Sequence, residues 1–303
     1  MSFLRLGVQC AVIDDEERIL LSRRGDLNIW NLPGGRLDSG ELLARAAARE
    51  VLEETGVVVH IERAVGLYYW AGWQRLNVLY AGWPLGGKLE QNTAETRENR
   101  YFVSHELPEM PWTVLALDAF AGTRHKPRVM TMSPVELRET RLKLRWRWVK
   151  NLLAGRPEPP FPRFEVQAVA VIWEDTYRRV LTLSDSRGHA LPRVTCQGAI
   201  APWTELADMV ESTCGVSPAF RWVGMWQDRG RDKIEFIFAA TVEETELIAE
   251  AEWSMARNAG LADRDAEYVE RVRPSYARDA VWTLVHEPTL EQGEAVDVTR
   301  GRK

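Results

Sequence analysis

"PGGRLDSGELLARAAAREVLEETGV", Pro33 to Val57, joins a glycine turn to an alanine-rich run that closes on three glutamates within five positions. Ser39 can serve as an N-cap and Gly56 stands where a helix C′ residue belongs, so the spacing predicts a helix over 39–55. On that helix Glu50, Glu53 and Glu54 occupy i, i+3 and i+4. Their carboxylates converge on one face, where like charges destabilise. Arg49 and Glu53 are i, i+4 neighbours, which lets the guanidinium hold one carboxylate in place. Three such carboxylates are tolerable when a cation sits among them. Oxygen-only ligands favour a hard divalent ion, Mg²⁺ or Mn²⁺, that keeps several waters and bridges to phosphate. Such an ion polarises a phosphoryl oxygen and activates a water. Gly34 and Gly35, without side chains, let the backbone approach a ligand closely. The plainer alternative is a surface helix with incidental glutamates.

β-runs flank this stretch. GVQCAVIDD and RILLSRR read as two strands joined by a polar turn, Asp14 to Glu17, and LNIWNLPGG leads into the glycine turn. After the helix, VVVHIERAVGLYYW, RLNVLYAGWPL and ENRYFVS read as strands and PWTVLALDAFA as a short closing helix. The expectation is an α+β domain with a mixed sheet over residues 1–122. Residues 123–163 read as a connector. SPVELRETRLKLRWRWVKNLLAG has the Ser-Pro start and glycine stop of a helix, although RLKLRWRWV alternates as a strand would. Its basic face suits a membrane surface or nucleic acid; a solvated helix bridging two domains is the plainer reading. RPEPPFPR, 156–163, is a semi-rigid spacer.

The second half echoes the first. VQCAVI from Val8 returns as VQAVAVI from Val166, RILLS as RVLTL, AVGLYYW as WVGMWQD and LNVLYAG as IEFIFAA. Leu32 and Leu191, like Gly56 and Gly215, share one offset of 159 positions. Order and spacing agree over about 100 residues, which reads as a diverged tandem duplication.

The opening stretch also obeys a strict pattern: Gly35, five residues, Glu41, seven residues, Arg49-Glu50-Val51, one residue, Glu53-Glu54, one residue, Gly56-Val57. With average residue usage, the chance of this in a chain of such length is on the order of 10⁻⁷. It resembles the Nudix box of the MutT-type Nudix hydrolases, complete in every fixed position. The flanking strands and LPGG turn extend the resemblance to roughly residues 5–122. The resemblance implies an α/β/α sandwich and hydrolysis, at a pyrophosphate bond, of a nucleoside diphosphate linked to another group X. It makes Glu50, Glu53 and Glu54 metal ligands, one of them a candidate general base, with Arg49 orienting Glu53. Glu41 becomes a supporting or auxiliary metal residue and Gly35 a candidate carbonyl donor to the metal. Family members often recruit a further glutamate from a later loop. Glu95 and Glu98 are the candidates, with solvated loop glutamates as the alternative.

At the same offset the second half places Val194 at Gly35, Ile200 at Glu41, Asp208 at Arg49, and Met209, Ser212 and Thr213 at the three glutamates. Residues 164–290 therefore resemble a degenerate Nudix domain, expected to be catalytically dead. It would serve as a built-in partner or as part of the substrate pocket, and the protein as a homodimer or an intramolecular pair. The last thirteen residues, 291–303, read as a polar tail.

Substrate signals are weaker. Trp30 and the cluster Tyr68, Tyr69, Trp70 and Trp73 could stack on a nucleobase or simply pack in the core. Arg23 and Arg24 could meet phosphate or ribose, or be surface charges. Subgroup marks of the family are missing: Trp73 and Gln74 stand where a proline or tyrosine would point to ADP-ribose or dinucleoside polyphosphates. The zinc-binding cysteines of NADH pyrophosphatases are also absent. A nucleoside triphosphate and a nucleotide sugar both stay open. So does a nucleotide-binding sensor or scaffold that uses the fold without turnover.

The bulk numbers agree. A chain of 303 residues leans toward two domains. A net charge of -5 gives no general attraction to nucleic acid or anionic membrane, and no reader motif suggests a specific nucleic acid. Three cysteines without a CxxC pair suit a reducing cytoplasm. The start has too short an apolar stretch for a signal peptide, and no run is long enough to span a membrane.

Overall fold

A strand buried along nearly its whole length wants a neighbour on either face, and β1 (Arg5–Val12) has that pattern. In the computed structural model it pairs in parallel with β5 (Arg75–Gly87). β4 (Val57–Trp70) runs antiparallel to β5, and β7 (Arg128–Met130) parallel to β4, which completes the order β1-β5-β4-β7. A smaller antiparallel sheet joins β3 (Trp30–Asn31), β2 (Arg18–Arg24) and β6 (Thr96–Val103). Three helices accompany the sheets: α1 (Leu43–Thr55), α2 (Thr113–Ala121) and α3 (Pro134–Leu153). Ile19, Leu21, Val65, Leu79, Leu115 and Ala119 belong to one buried cluster that ties β2, β4, β5 and α2 together. This is the expected α+β architecture with mixed sheets.

The structure describes residues 3–155, 160–185, 188–244, 246–248, 251–257, 259–273, 280–286 and 296–297. The chain divides into two units, one of residues 5–124 with 128–163, the other of 1–4, 125–127 and 164–303. The polar tail 291–303 lies outside the described residues except for positions 296 and 297, and so does the first half of the proline-rich spacer, 156–159.

Two local readings are refined. The first concerns the start of α1, which begins at Leu43 rather than 39, with Leu42 at the cap and no side-chain capping bond. Gly40 adopts φ +72°, a left-handed conformation that favours glycine, and the Glu41 N–H donates to the Asp38 carbonyl at 3.2 Å. A tight turn therefore replaces the expected first helical turn. The other end is as read: Gly56, at φ +73°, donates its N–H to the Leu52 carbonyl. The second concerns α3, where the helical reading holds over the strand-like alternation. Its start is a reciprocal capping box: the Ser133 N–H donates to the Glu136 carboxylate at 2.9 Å and the Glu136 N–H to Ser133 Oγ at 3.2 Å.

The second unit repeats this wiring. β8 (Glu165–Glu174) is parallel to β13 (Lys233–Val242) and antiparallel to the short β11 (Arg193–Thr195), β13 is antiparallel to β12 (Arg221–Asp228), and β12 is parallel to β15 (Trp282–His286). β9 (Arg179–Asp185) lies antiparallel to both β10 (Gly188–Ala190) and β14 (Ala251–Met255), as β2 does to β3 and β6. α4 (Pro202–Cys214) ends on Gly215 at φ +76°. Leu43 and Pro202, Thr55 and Cys214, and Gly56 and Gly215 are each 159 positions apart. Among the described residues no helix is long and apolar enough to cross a membrane.

Candidate active site

The loop after β3 is laid against β1. The Cys10 N–H donates to the Pro33 carbonyl at 2.9 Å and the Val8 N–H to the Gly35 carbonyl at 3.0 Å. A side chain at Gly34 would put Cβ 2.3 Å from the Val8 carbonyl oxygen, and one at Gly35 would put it 2.4 Å from the Glu50 carboxyl group. Two bare glycines thus let the loop pass between β1 and the acidic face of α1. Across the gap the Gly34 N–H donates to Glu54 Oε2 at 3.2 Å. The far end of α1 is tied to β6, where Asn99 Nδ2 and Thr96 Oγ1 donate to the Glu54 carbonyl at 2.8 and 3.2 Å. These side chains satisfy a carbonyl that a helix end would otherwise leave open.

Glu50, Glu53, Glu54 and Glu95 line one cavity of about 720 Å³, together with Arg24, Arg36, Arg49, Arg75 and Arg147. Glu50 and Glu54 are buried, while Glu53 is exposed. Burial, reinforced by Glu50 and Glu95 and opposed by the Arg24 charge and the Gly34 N–H, pushes the Glu54 carboxyl up to about 8. Burial also raises Glu50, against the pull of Arg49. Arg49 is the hub. Its Nη1 donates to Glu50 Oε1 at 2.9 Å and to Glu53 Oε2 at 3.0 Å, while Nε and Nη2 grip the two Glu41 oxygens at 2.8 and 3.0 Å. The bond to Glu41, with the neighbouring carboxylates, raises the guanidinium above its ordinary range.

Among the described residues no three His, Cys, Asp or Glu side chains are gathered tightly enough to grip a metal as they stand. The donor set nevertheless fits a hard cation. It is all carboxylate oxygen, and one guanidinium nitrogen already bridges Glu50 and Glu53, so both are aimed at a shared positive charge. The Gly35 carbonyl accepts from two donors, the Val8 N–H and Arg75 Nη2 at 2.7 Å.

The other sequence candidates separate. Glu41 is held by Arg49 outside the cavity lining. Arg23 and Glu98 face each other across β2 and β6, 3.9 Å apart, and neither lines the cavity. Arg24, next to Arg23 in sequence, does line it and forks onto Asp26 at 3.0 and 2.9 Å. Trp30 packs against the core with its ring edge-on to Phe102, centroids 5.0 Å apart. Tyr68 and Tyr69 are buried, Tyr68 donating to Asp118 Oδ2 at 2.8 Å. Trp70 and Trp73 line a second cavity that adjoins the first.

Sequence reasoning missed Arg75 and the polar row beside it. Arg75 Nε donates to Asn77 Oδ1 at 2.8 Å, Asn77 Nδ2 to Gln9 Oε1 at 3.1 Å, and Gln9 Nε2 to Asn31 Oδ1 at 3.1 Å. A guanidinium can only donate, so every amide downstream is oriented by it. Burial pulls Arg75 down to about 10, which still leaves it charged at neutral pH. The available signal was three polar residues, Gln9, Asn31 and Asn77, inside apolar runs.

The region that carries this site is similar in sequence to known proteins. A family model described as the NUDIX domain matches residues 3–119. A Bacillus subtilis protein provisionally named an 8-oxo-dGTP diphosphatase is 35% identical over 102 residues, 34% of this chain and 68% of its own. A "MutT-like protein" of Streptomyces ambofaciens is 32% identical over 120 residues, 39% of this chain and 77% of its own. Among solved structures, a NUDIX hydrolase from Nitrosomonas europaea is 23% identical with a TM-score of 0.37, covering 44% of this chain and 81% of that one.

Proposed function

The chain belongs to the NUDIX family and is a hydrolase of phosphoric anhydride bonds, and on that premise we propose that it cleaves a nucleoside diphosphate linked to a group X, at the pyrophosphate. The observation that carries this is the single cavity in which Glu50, Glu53, Glu54 and Glu95 meet five arginines. A pyrophosphate needs opposite things at once: cations for its own charge and carboxylates for a metal and a water. This cavity holds both.

Glu50, Glu53 and Glu54 would hold the divalent ion, magnesium or manganese, with Glu95 facing the same space. When bound, that ion neutralises phosphoryl charge and lowers the pKa of a water. The chain's own residues do the rest. Arg24 and Arg75 face the cavity as fixed cations for phosphate oxygens. Arg49 keeps Glu50 and Glu53 from springing apart and is itself aimed by Glu41. Glu54, buried in the cavity wall beside the Gly34 N–H, is the candidate to take a proton from an attacking water once the ion has made it a carboxylate. The Gly34-Gly35 backbone gives the ligand close passage.

The test is release of a nucleoside monophosphate from a panel spanning nucleoside triphosphates, an oxidised guanine nucleotide and nucleotide sugars, with Mg²⁺ or Mn²⁺. Glu53→Gln with Glu54→Gln should abolish turnover while the fold persists. Undiminished turnover in that double variant would overturn the assignment.

For the second unit we infer a NUDIX-like fold without a catalytic set. The repeated strand wiring and the 159-residue offset of α1 and α4 support this. Met209, Ser212 and Thr213 stand where α1 carries its glutamates. A nucleotide-binding role without turnover is compatible with that unit. Titration calorimetry of the full chain carrying Glu53→Gln and Glu54→Gln would report whether two nucleotides bind or one.

A further inference from the structure

The family match ends at residue 119, but the cleft does not. The second cavity, about 420 Å³, shares Arg24, Gly34, Arg75, Arg147 and Phe161 with the carboxylate cavity, so the two adjoin along those residues. Its volume lies within the range of small-molecule pockets. Trp70, Trp73 and Trp112 give it an apolar lining, and α3 supplies another wall through Thr140, Leu144 and Arg145.

The charge around this cavity is one-sided. Arg5, Arg24, Arg75, Arg145 and Arg147 border it, and no aspartate or glutamate does. Four of the five are engaged. Arg5 lies over the Phe161 ring at 4.9 Å, Arg24 and Arg147 both bond Asp26, and Arg75 serves Asn77 and Gly35. Arg145 has no hydrogen-bond, ion-pair or ring partner among the described residues. A cation left without a partner beside an aromatic, acid-free cavity is matched by a ligand that is both aromatic and anionic.

α3 is fixed where it can present that cation. Beyond its capping box, Arg141 Nη2 donates to the Gly72 carbonyl at 2.8 Å and its guanidinium lies over the Trp73 ring at 5.7 Å. Trp73 Nε1 in turn donates to the Met132 sulfur at 3.3 Å. Leu137 packs against Gly72 so closely that a Cβ there would lie 2.8 Å from it. The helix is thus anchored to the same short segment, 71–73, that contributes Trp73 to the cavity.

We propose that α3, outside the NUDIX domain proper, is a wall of the substrate cleft, and that Arg145 is a substrate-binding residue. It contacts the phosphate of a nucleoside phosphate whose base lies against the tryptophans. The placement of the phosphate chain rests on the hydrolase reading above, whereas the binding itself requires no turnover.

The experiment is a titration of the full-length protein, without metal, with each of the four ribonucleoside 5′-monophosphates, followed by tryptophan fluorescence. At least one should quench the signal in the wild-type chain. Arg145→Glu should weaken that binding on the order of tenfold to a hundredfold, as expected for losing a charged hydrogen bond. Arg145→Lys should recover much of it. Lys143→Glu, an equal charge change on the same helix but outside the cavity lining, should bind as wild type. Equal affinity in Arg145→Glu and wild type, or no quenching by any monophosphate, overturns the proposal. The two readings fail separately. Binding through Arg145 without hydrolysis of any nucleotide removes the hydrolase and keeps this site. Hydrolysis with a KM indifferent to Arg145→Glu does the reverse.

Discussion

Arg49 grips Glu41 through two parallel hydrogen bonds, Nε to Oε1 at 2.8 Å and Nη2 to Oε2 at 3.0 Å, which leaves Nη1 free to bridge Glu50 and Glu53. The fork fixes the guanidinium plane, and the plane decides where the two glutamates point. Glu41→Gln keeps the shape but turns an N–H toward an N–H. The expected result is a fall in kcat/KM of about tenfold to a hundredfold, the usual cost of losing a residue that orients a ligand. Because Arg49 is partly exposed, thermal stability should barely move. Wild-type kinetics in Glu41→Gln would remove Glu41 from the site.

Glu54 carries a pH signature. Its folded pKa, about 8, lies above the ordinary carboxylate range, so the native state binds this proton more tightly than the unfolded chain does. The stability it contributes is full below the unfolded pKa and is lost as pH rises through the folded one, from about 4.5 to about 8. Denaturant midpoints of the metal-free protein should therefore decline across that window, and the decline should flatten in Glu54→Gln. A divalent cation needs the carboxylate, so its binding near pH 7 should release a proton. Calorimetry in two buffers of different ionisation enthalpy measures that release. An unchanged slope in Glu54→Gln would contradict the assignment of the raised group.

Two adjacent glycines should fail in different ways. At Gly35 a Cβ meets the end of the flexible Glu50 side chain, whereas at Gly34 it meets the Val8 backbone. Gly35→Ala can be accommodated by swinging Glu50 aside, so stability should hold while kcat drops about a hundredfold, as small displacements of catalytic groups do. Gly34→Ala has to move β1 or the loop and should cost about 1–3 kcal/mol of stability. Thermal melts beside kinetics separate the two, and a strongly destabilised Gly35→Ala would refute the distinction.

These residues also show what the sequence could convey. The end of α1 and the limits of β2 and β4 were readable because Gly56 and the apolar runs are local signals. The start of α1 was not, because Ser39 is a good cap in isolation and only the left-handed turn at Gly40 excludes it. The glutamates of the box were legible from spacing alone. Arg75, Gln9, Asn31 and Asn77 come from three strands, and their order as a hydrogen-bonded row exists only after β1 pairs with β5. Likewise, Glu95 and Glu98 differ by three residues, yet Glu98 faces Arg23 across β2 and β6, while Glu95 precedes β6 and lines the cavity. The wall formed by α3 depends on contacts some seventy residues away, at Gly72.

The second unit offers a control inside the same chain. α4 has the length and glycine stop of α1, but at the matching positions Ser212 Oγ only donates back to the Met209 carbonyl at 3.0 Å, and Thr213 ends the comparison with no carboxylate. If the glutamates of α1 serve chemistry rather than folding, the two helices should respond oppositely to substitution. Ser212→Ala with Thr213→Ala should leave turnover within about twofold and cost at most about 1 kcal/mol, as exposed or half-exposed positions do. Glu53→Gln with Glu54→Gln should abolish turnover yet not weaken the metal-free fold, since removing the buried Glu54 charge and its exposed neighbour relieves repulsion. Steady-state kinetics and denaturant melts on the four combinations test this directly. Loss of turnover from the α4 pair, with the fold intact, would mean that the second unit supplies catalytic groups after all.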